Sequence, residues 1–292
     1  MIPLARNQSA GRSHRGAIAI LGWLSMTLGL FAASAIGQWV RTAGGTEESV
    51  RILQALVTGS TIVPVVYLTQ LRFGVRLNLL PVSTGSLVHL LCGFGLPLAM
   101  TGAGFLIAAS KDWITITGWH WTPELISAVL MNLFIALLYE ALPEELTLRG
   151  LVYSGLRLRL PAVLAYFGQM ILFVLVPLTV LFLQKLTGMP AGNTFTADYV
   201  ILLLGFGLTL QLWRSLTGSL WASVGFHLAY LTLSRFVVLP RGYAALTYTE
   251  QEAGTGGLFI LFGMTVLGSA GVLIVLLLGT RLLLGRRGKE AD

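Results

Sequence analysis

Two adjacent carboxylates, Glu144 and Glu145, stand in the stretch Leu142-Pro143-Glu144-Glu145-Leu146-Thr147-Leu148-Arg149-Gly150. The preceding run from Ile126 to Tyr139 is apolar apart from Ser127 and Asn132. Ionisable residues in a segment of this kind are costly to insert and mark a functional site by default. On a helix Glu145 and Arg149 share a face and can pair. Glu144 points about 100° away from Glu145, so one carboxylate can be held by the arginine while the other faces a cavity. Glu140, four residues before Glu144, lies on the side of Glu144. The same pattern also fits an interfacial salt bridge with no chemistry. The second polar feature is His227, inside an apolar run that follows Thr217-Gly218-Ser219-Leu220-Trp221. Alone, it fits a hydrogen-bonded packing residue as well as a catalyst, and so does His89. Glu144, Glu145, Arg149 and His227 together say more. A glutamate in a low-dielectric cavity has reason to hold or take a proton. With an imidazole nearby it can activate water for attack on a peptide carbonyl, or the imidazole can donate to the oxyanion.

The elements that must position these groups are membrane spans. The 292-residue chain is 55% hydrophobic and 11% charged, with a mean hydropathy of +0.81, against about 25% charged residues in soluble domains. Apolar runs near the ~20 residues needed to cross a bilayer fall at Ala17–Ile36, Ile52–Leu71, Leu87–Ala109, Pro123–Leu142, Pro161–Leu183, Tyr199–Trp213, Leu220–Leu239 and Leu258–Leu284. The expected fold is all-α: a polytopic membrane helical bundle of about eight transmembrane helices, since lipid leaves no water for open backbone. Residues 16–285 read as a single transmembrane domain, flanked by a basic tail at 1–15 and a short tail at 286–292. Ala33-Ser34-Ala35 resembles a signal-peptidase site, but the first run is long enough to serve as an anchor.

The net charge of +7 does not indicate nucleic acid, because the basic residues lie between apolar spans and form no patch. They read as topology signals. With the N-terminus in the cytoplasm, thirteen of the nineteen Lys and Arg residues fall in inside segments, which places both termini inside. It also puts the glutamate pair at the cytoplasmic end of the fourth span. The localisation is an integral multi-pass membrane protein of a bacterial-type cell membrane, with the lipid bilayer as its partner. The loop Lys111–Thr122, with Trp113, Trp119, His120 and Trp121, reads as an interfacial aromatic belt, and Pro240–Gly257 as a solvated loop. Gly93, Gly95, Gly102 and Gly104 suit close helix packing. Cys92 is a lone cysteine with no disulfide partner in the chain. No zinc-type cluster is present: a tetrahedral site needs three protein ligands, and Glu144 and His227 are the clear candidates. No cofactor is indicated. A small transporter is a further class for buried charges, but the repeat halves typical of such folds are missing.

Over residues 144–235 the chain resembles the CAAX-protease and bacteriocin-processing family of intramembrane endopeptidases, also called the Abi family. Glu144, Glu145 and Arg149 meet its Glu-Glu-x-x-x-Arg motif, with Gly150 following, and Thr217-Gly218-Ser219-Leu220-Trp221 leads into the family histidine at His227. Two departures stand out. The second motif, Phe-x-x-x-His, aligns with Phe173-Val174-Leu175-Val176-Pro177, and the third, His-x-x-x-Asn, with His227-Leu228-Ala229-Tyr230-Leu231. The resemblance implies that Glu144 activates water, that Arg149 orients the carboxylates, and that His227 is half of the oxyanion site. It implies cleavage of membrane-associated or prenylated peptides, weakened or abolished by Pro177 and Leu231. A non-catalytic relative, acting as a membrane binding, regulatory or peptide-resistance protein, is the alternative.

Overall fold

The computed structural model describes residues 14–75, 77, 83–190 and 195–289. Most of the expected N-terminal tail, including Arg6 and Arg12, lies outside the described residues, as do Arg76 and residues 290–292. The described chain is a bundle of helices: α1 (His14–Thr42), α2 (Glu47–Phe73), α3 (Thr84–Ser110), α4 (Pro123–Arg157), α5 (Ala162–Leu186), α6 (Ala197–Thr217), α7 (220–238) and α8 (255–289). All but α7 are long and apolar enough to cross a membrane. α7 is the innermost helix, with every residue from Ala222 to Tyr230 buried.

Helix ends follow local chemistry. Thr46, Ser83, Thr122 and Thr196 each accept a hydrogen bond from the backbone N–H three residues on, satisfying a first-turn donor. Gly218, with φ 68°, closes α6, and Ser219 caps α7 by accepting from the Trp221 N–H. Thr217-Gly218-Ser219 is thus a helix stop and a helix start in three residues, and it sets the register in which His227 enters the bundle.

Two expectations are corrected. The fourth span does not end at Leu142: α4 runs on to Arg157, so the glutamate pair lies within a helix and not at its end. The reading broke the span at its charges, but those charges meet partners inside the bundle and the helix stays enclosed. The loops Lys111–Thr122 and Pro240–Gly257 are not independent either. They carry β1 (Ile114–Trp119) and β2 (Leu246–Glu250), an antiparallel ribbon pairing Ile114 with Glu250 and Trp119 with Leu246. Glu250 then accepts from the N–H groups of Gly254 and Gly256 at the start of α8.

Close backbone approach locks the centre. A Cβ at Gly93 of α3 would strike the carbonyl of Ala222, and one at Gly225 of α7 would strike that of Leu90. Gly104 also faces packed side chains, whereas Gly95 and Gly102 face open space, so two of the four α3 glycines serve the packing expected of them. On the other side, Gly155 of α4 packs on the backbone of Ala19, and Gly22 of α1 lies against the Thr147 carbonyl. α1 runs unbroken through Ala33-Ser34-Ala35.

Candidate active site

The first motif sits on an unusual piece of helix. Residues 137–141 and 145–152 of α4 have the wide, π-type turn. Pro143 between them cannot donate to the carbonyl one turn back, and such local widening occurs often at functional sites. Every side chain from Glu145 to Val152 is buried. An acid and a base in that enclosed segment must answer one another.

They do. The Arg149 Nη1 lies 3.2 Å from Glu145 Oε1, with both side chains at 0% exposure. His227 Nδ1 approaches the same Glu145 oxygen at 3.5 Å. The Arg149 guanidinium also stands over the Phe173 ring, 4.3 Å from its centroid, a cation–π placement. Phe206 packs edge-on against the His227 ring at 4.8 Å. Gly207 makes room: a Cβ there would come within 3.0 Å of Phe173 and 3.5 Å of Arg149 Nη2. The pairing of Glu145 with Arg149 matches the helical spacing, and the arginine is clamped between a carboxylate and an aromatic face.

Glu144 turns the other way, as its angle to Glu145 requires. It lines a cavity of about 360 Å³ walled by α1, α2, α4, α5 and α6. Phe173 and Pro177 line the same cavity. The position where the family places its second-motif histidine therefore looks into the space that Glu144 looks into, and a proline ring occupies it. From Glu144 the cavity extends along Ser34, Gln38 and Arg41 of α1 and Gln184 of α5 to Pro190 at the end of the bundle. At its mouth Arg41 is paired with Glu47 at 2.8 Å.

One expected grouping is only half met. His227 touches Glu145, not Glu144, and lines neither this cavity nor its neighbour. Leu231, one turn beyond, lines the neighbouring cavity. Gln169 is fully buried, its side chain has no hydrogen-bond partner among the described residues, and it does not line the Glu144 cavity; His89 lines neither cavity. Among the described residues no three His, Cys, Asp or Glu side chains come together to hold a metal ion. The polar wall of Ser34, Gln38, Gln54, Tyr139 and Tyr199 was not singled out in the sequence. Its trace there is the helical spacing of Leu30, Ser34, Gln38 and Arg41 along one face of α1.

A multi-pass helical bundle with an open carboxylate beside a buried Glu–Arg–His cluster is the architecture expected of the membrane-embedded endopeptidases that the motifs resemble. Residues 122–233 match the family described as type II CAAX prenyl endopeptidase Rce1-like, and this segment holds Glu144, Arg149, Pro177 and His227. No curated protein and no solved structure matches the chain.

Proposed function

We propose that the protein is a membrane endopeptidase of the CAAX-protease type, acting slowly on membrane-associated or lipidated peptides. The observation that carries this is the pairing of roles on α4: Glu144 open to a cavity of about 360 Å³, and Glu145 held behind it by Arg149 and His227. In this reading Glu144 takes a proton from water, the hydroxide attacks the peptide carbonyl, and the proton passes to the leaving amine. Arg149 fixes Glu145 and so the turn that carries Glu144, and His227 steadies the same carboxylate. The cavity accepts an extended peptide with its apolar wall of Leu30, Val176, Val180 and Leu203 and its polar wall of Gln38, Gln54 and Tyr139.

Turnover is slow because Pro177 supplies no acid–base group where the family has histidine, a loss of about 10²–10⁴-fold. Leu231 supplies no oxyanion donor, a loss of about 10²–10³-fold. Such losses need not multiply. Pro177 in the cavity wall also favours a second reading, in which the same groove binds a peptide without cutting it.

The experiment is cleavage of a prenylated or membrane-inserted peptide by the purified protein in liposomes, with Glu144→Gln and Pro177→His beside the wild type. Slow product release that vanishes in Glu144→Gln and rises in Pro177→His supports the endopeptidase. Equal release by wild type and Glu144→Gln removes Glu144 from the chemistry. Cleavage by Pro177→His alone supports the binding protein.

A further inference from the structure

A second cavity, of about 290 Å³, meets the first at Gln54, Tyr139 and Glu140. It gathers three guanidinium groups from distant parts of the chain: Arg51 on α2, Arg235 near the end of α7, and Arg241 in the segment before β2. Glu140 is the one carboxylate among the described residues that line it. Arg51 and Arg235 act on one another as like charges, as do Arg235 and Arg241. Like charges gathered in a partly desolvated space are held at a cost unless an anion joins them.

A second observation points the same way. Asn132 lines this cavity and is 4% exposed. Arg51 Nη2 donates to its Oδ1 at 2.9 Å. Arginine has donors only, so the amide orientation is fixed and Nδ2 faces away from Arg51. Nδ2 is buried and meets no acceptor among the described residues. The three arginines therefore turn donors toward one space, with Asn132 fixed in its wall by Arg51 and Glu140 as the one carboxylate among the lining residues.

The position narrows the occupant. The cavity lies at the end of the bundle that holds the ribbon, where Trp119 and Trp121 are 63% and 70% exposed. Exposed tryptophans of this kind sit at headgroup depth. Guanidinium groups match phosphate oxygens two at a time. We propose that Arg51, Arg235, Arg241 and Asn132 form a binding site for a phosphate group, supplied by the headgroup of an anionic phospholipid. The occupied site touches Glu140 and Tyr139, which also wall the Glu144 cavity, so the lipid stiffens the wall that faces the peptide.

The test is binding of fluorescent phosphatidylglycerol to the purified full chain in a neutral detergent, with inorganic phosphate as a second probe. Saturable lipid binding is expected, about tenfold weaker in Arg51→Gln and in Arg241→Gln and unchanged in Lys185→Gln at the same end of the bundle. Arg241 is exposed, so its variant keeps the fold even where Arg51→Gln does not, and gel filtration checks both. Inorganic phosphate that protects the protein against heating with the same arginine dependence, while the lipid does not bind, keeps the phosphate site and moves its source to solution. Equal lipid binding by wild type and Arg241→Gln, or no binding of either probe, overturns the proposal.

Discussion

Replacing Arg149 by methionine tests whether the Glu145–Arg149 pair is what lets charge lie inside the bundle. Both side chains are at 0% exposure and 3.2 Å apart. Methionine keeps an unbranched apolar stem but is shorter than arginine, so it removes the guanidinium from the Phe173 ring and leaves Glu145 without its cation. Breaking a buried pair from one side costs about 3–5 kcal/mol, and the lost cation–π contact adds about 1–2 kcal/mol. Against a net stability of about 5–15 kcal/mol for a folded domain, that brings the variant close to unfolding. The double variant Glu145→Gln/Arg149→Met removes both charges and should recover about 3 kcal/mol of the loss. The assay is reversible denaturation in mixed micelles, read by tryptophan fluorescence, over the complete two-residue cycle. A double variant no more stable than Arg149→Met alone would show that the carboxylate left behind is not what destabilises the single variant, and the account of the pair would fail.

Gly225→Val should cost about 1–3 kcal/mol or more by driving a side chain into the Leu90 carbonyl, and should disturb the indole and imidazole signals of α7 in NMR spectra. Gly95→Ala on α3 faces open space and should change stability by no more than about 1 kcal/mol, in the stabilising direction; the same denaturation assay reads both. Glu250→Gln should speed amide exchange at Gly254 and Gly256, whose N–H groups the carboxylate accepts at 2.9 Å each, while leaving exchange in α7 unchanged.

The helical class and most span positions were legible because a bilayer demands long apolar runs and the chain has little else. The C-terminal end of α4 was not, because hydropathy breaks at Glu144, Glu145 and Arg149, while the folded helix sees a neutralised cluster. The ribbon was missed for a different reason: β1 and β2 are far apart in sequence, and neither is long enough to announce itself alone. Within the site, helical spacing was sufficient to pair Glu145 with Arg149 and to turn Glu144 elsewhere. It could not say which carboxylate His227 would meet, since that depends on how α7 rotates against α4. That rotation is fixed by Gly93 against Ala222 and Gly225 against Leu90, contacts between helices that no single stretch encodes. Arg51, Arg235 and Arg241 read as topology signals because each stands alone in the chain; they become a cluster only when α2, α7 and the following segment converge.

The route along Ser34, Gln38 and Arg41 has a bearing on sidedness. It leaves the bundle at the end that carries the ribbon, opposite the ends richest in arginine. With the arginine-rich ends in the cytoplasm, as the distribution of basic residues argues, cargo would reach Glu144 from the exterior. A Ser34→Cys variant in a Cys92→Ser background should then react with a membrane-impermeant maleimide added to intact cells, while Arg157→Cys in the same background stays protected until the cells are opened. The reverse labelling pattern would turn the whole molecule over and make the cytosol its source of peptides.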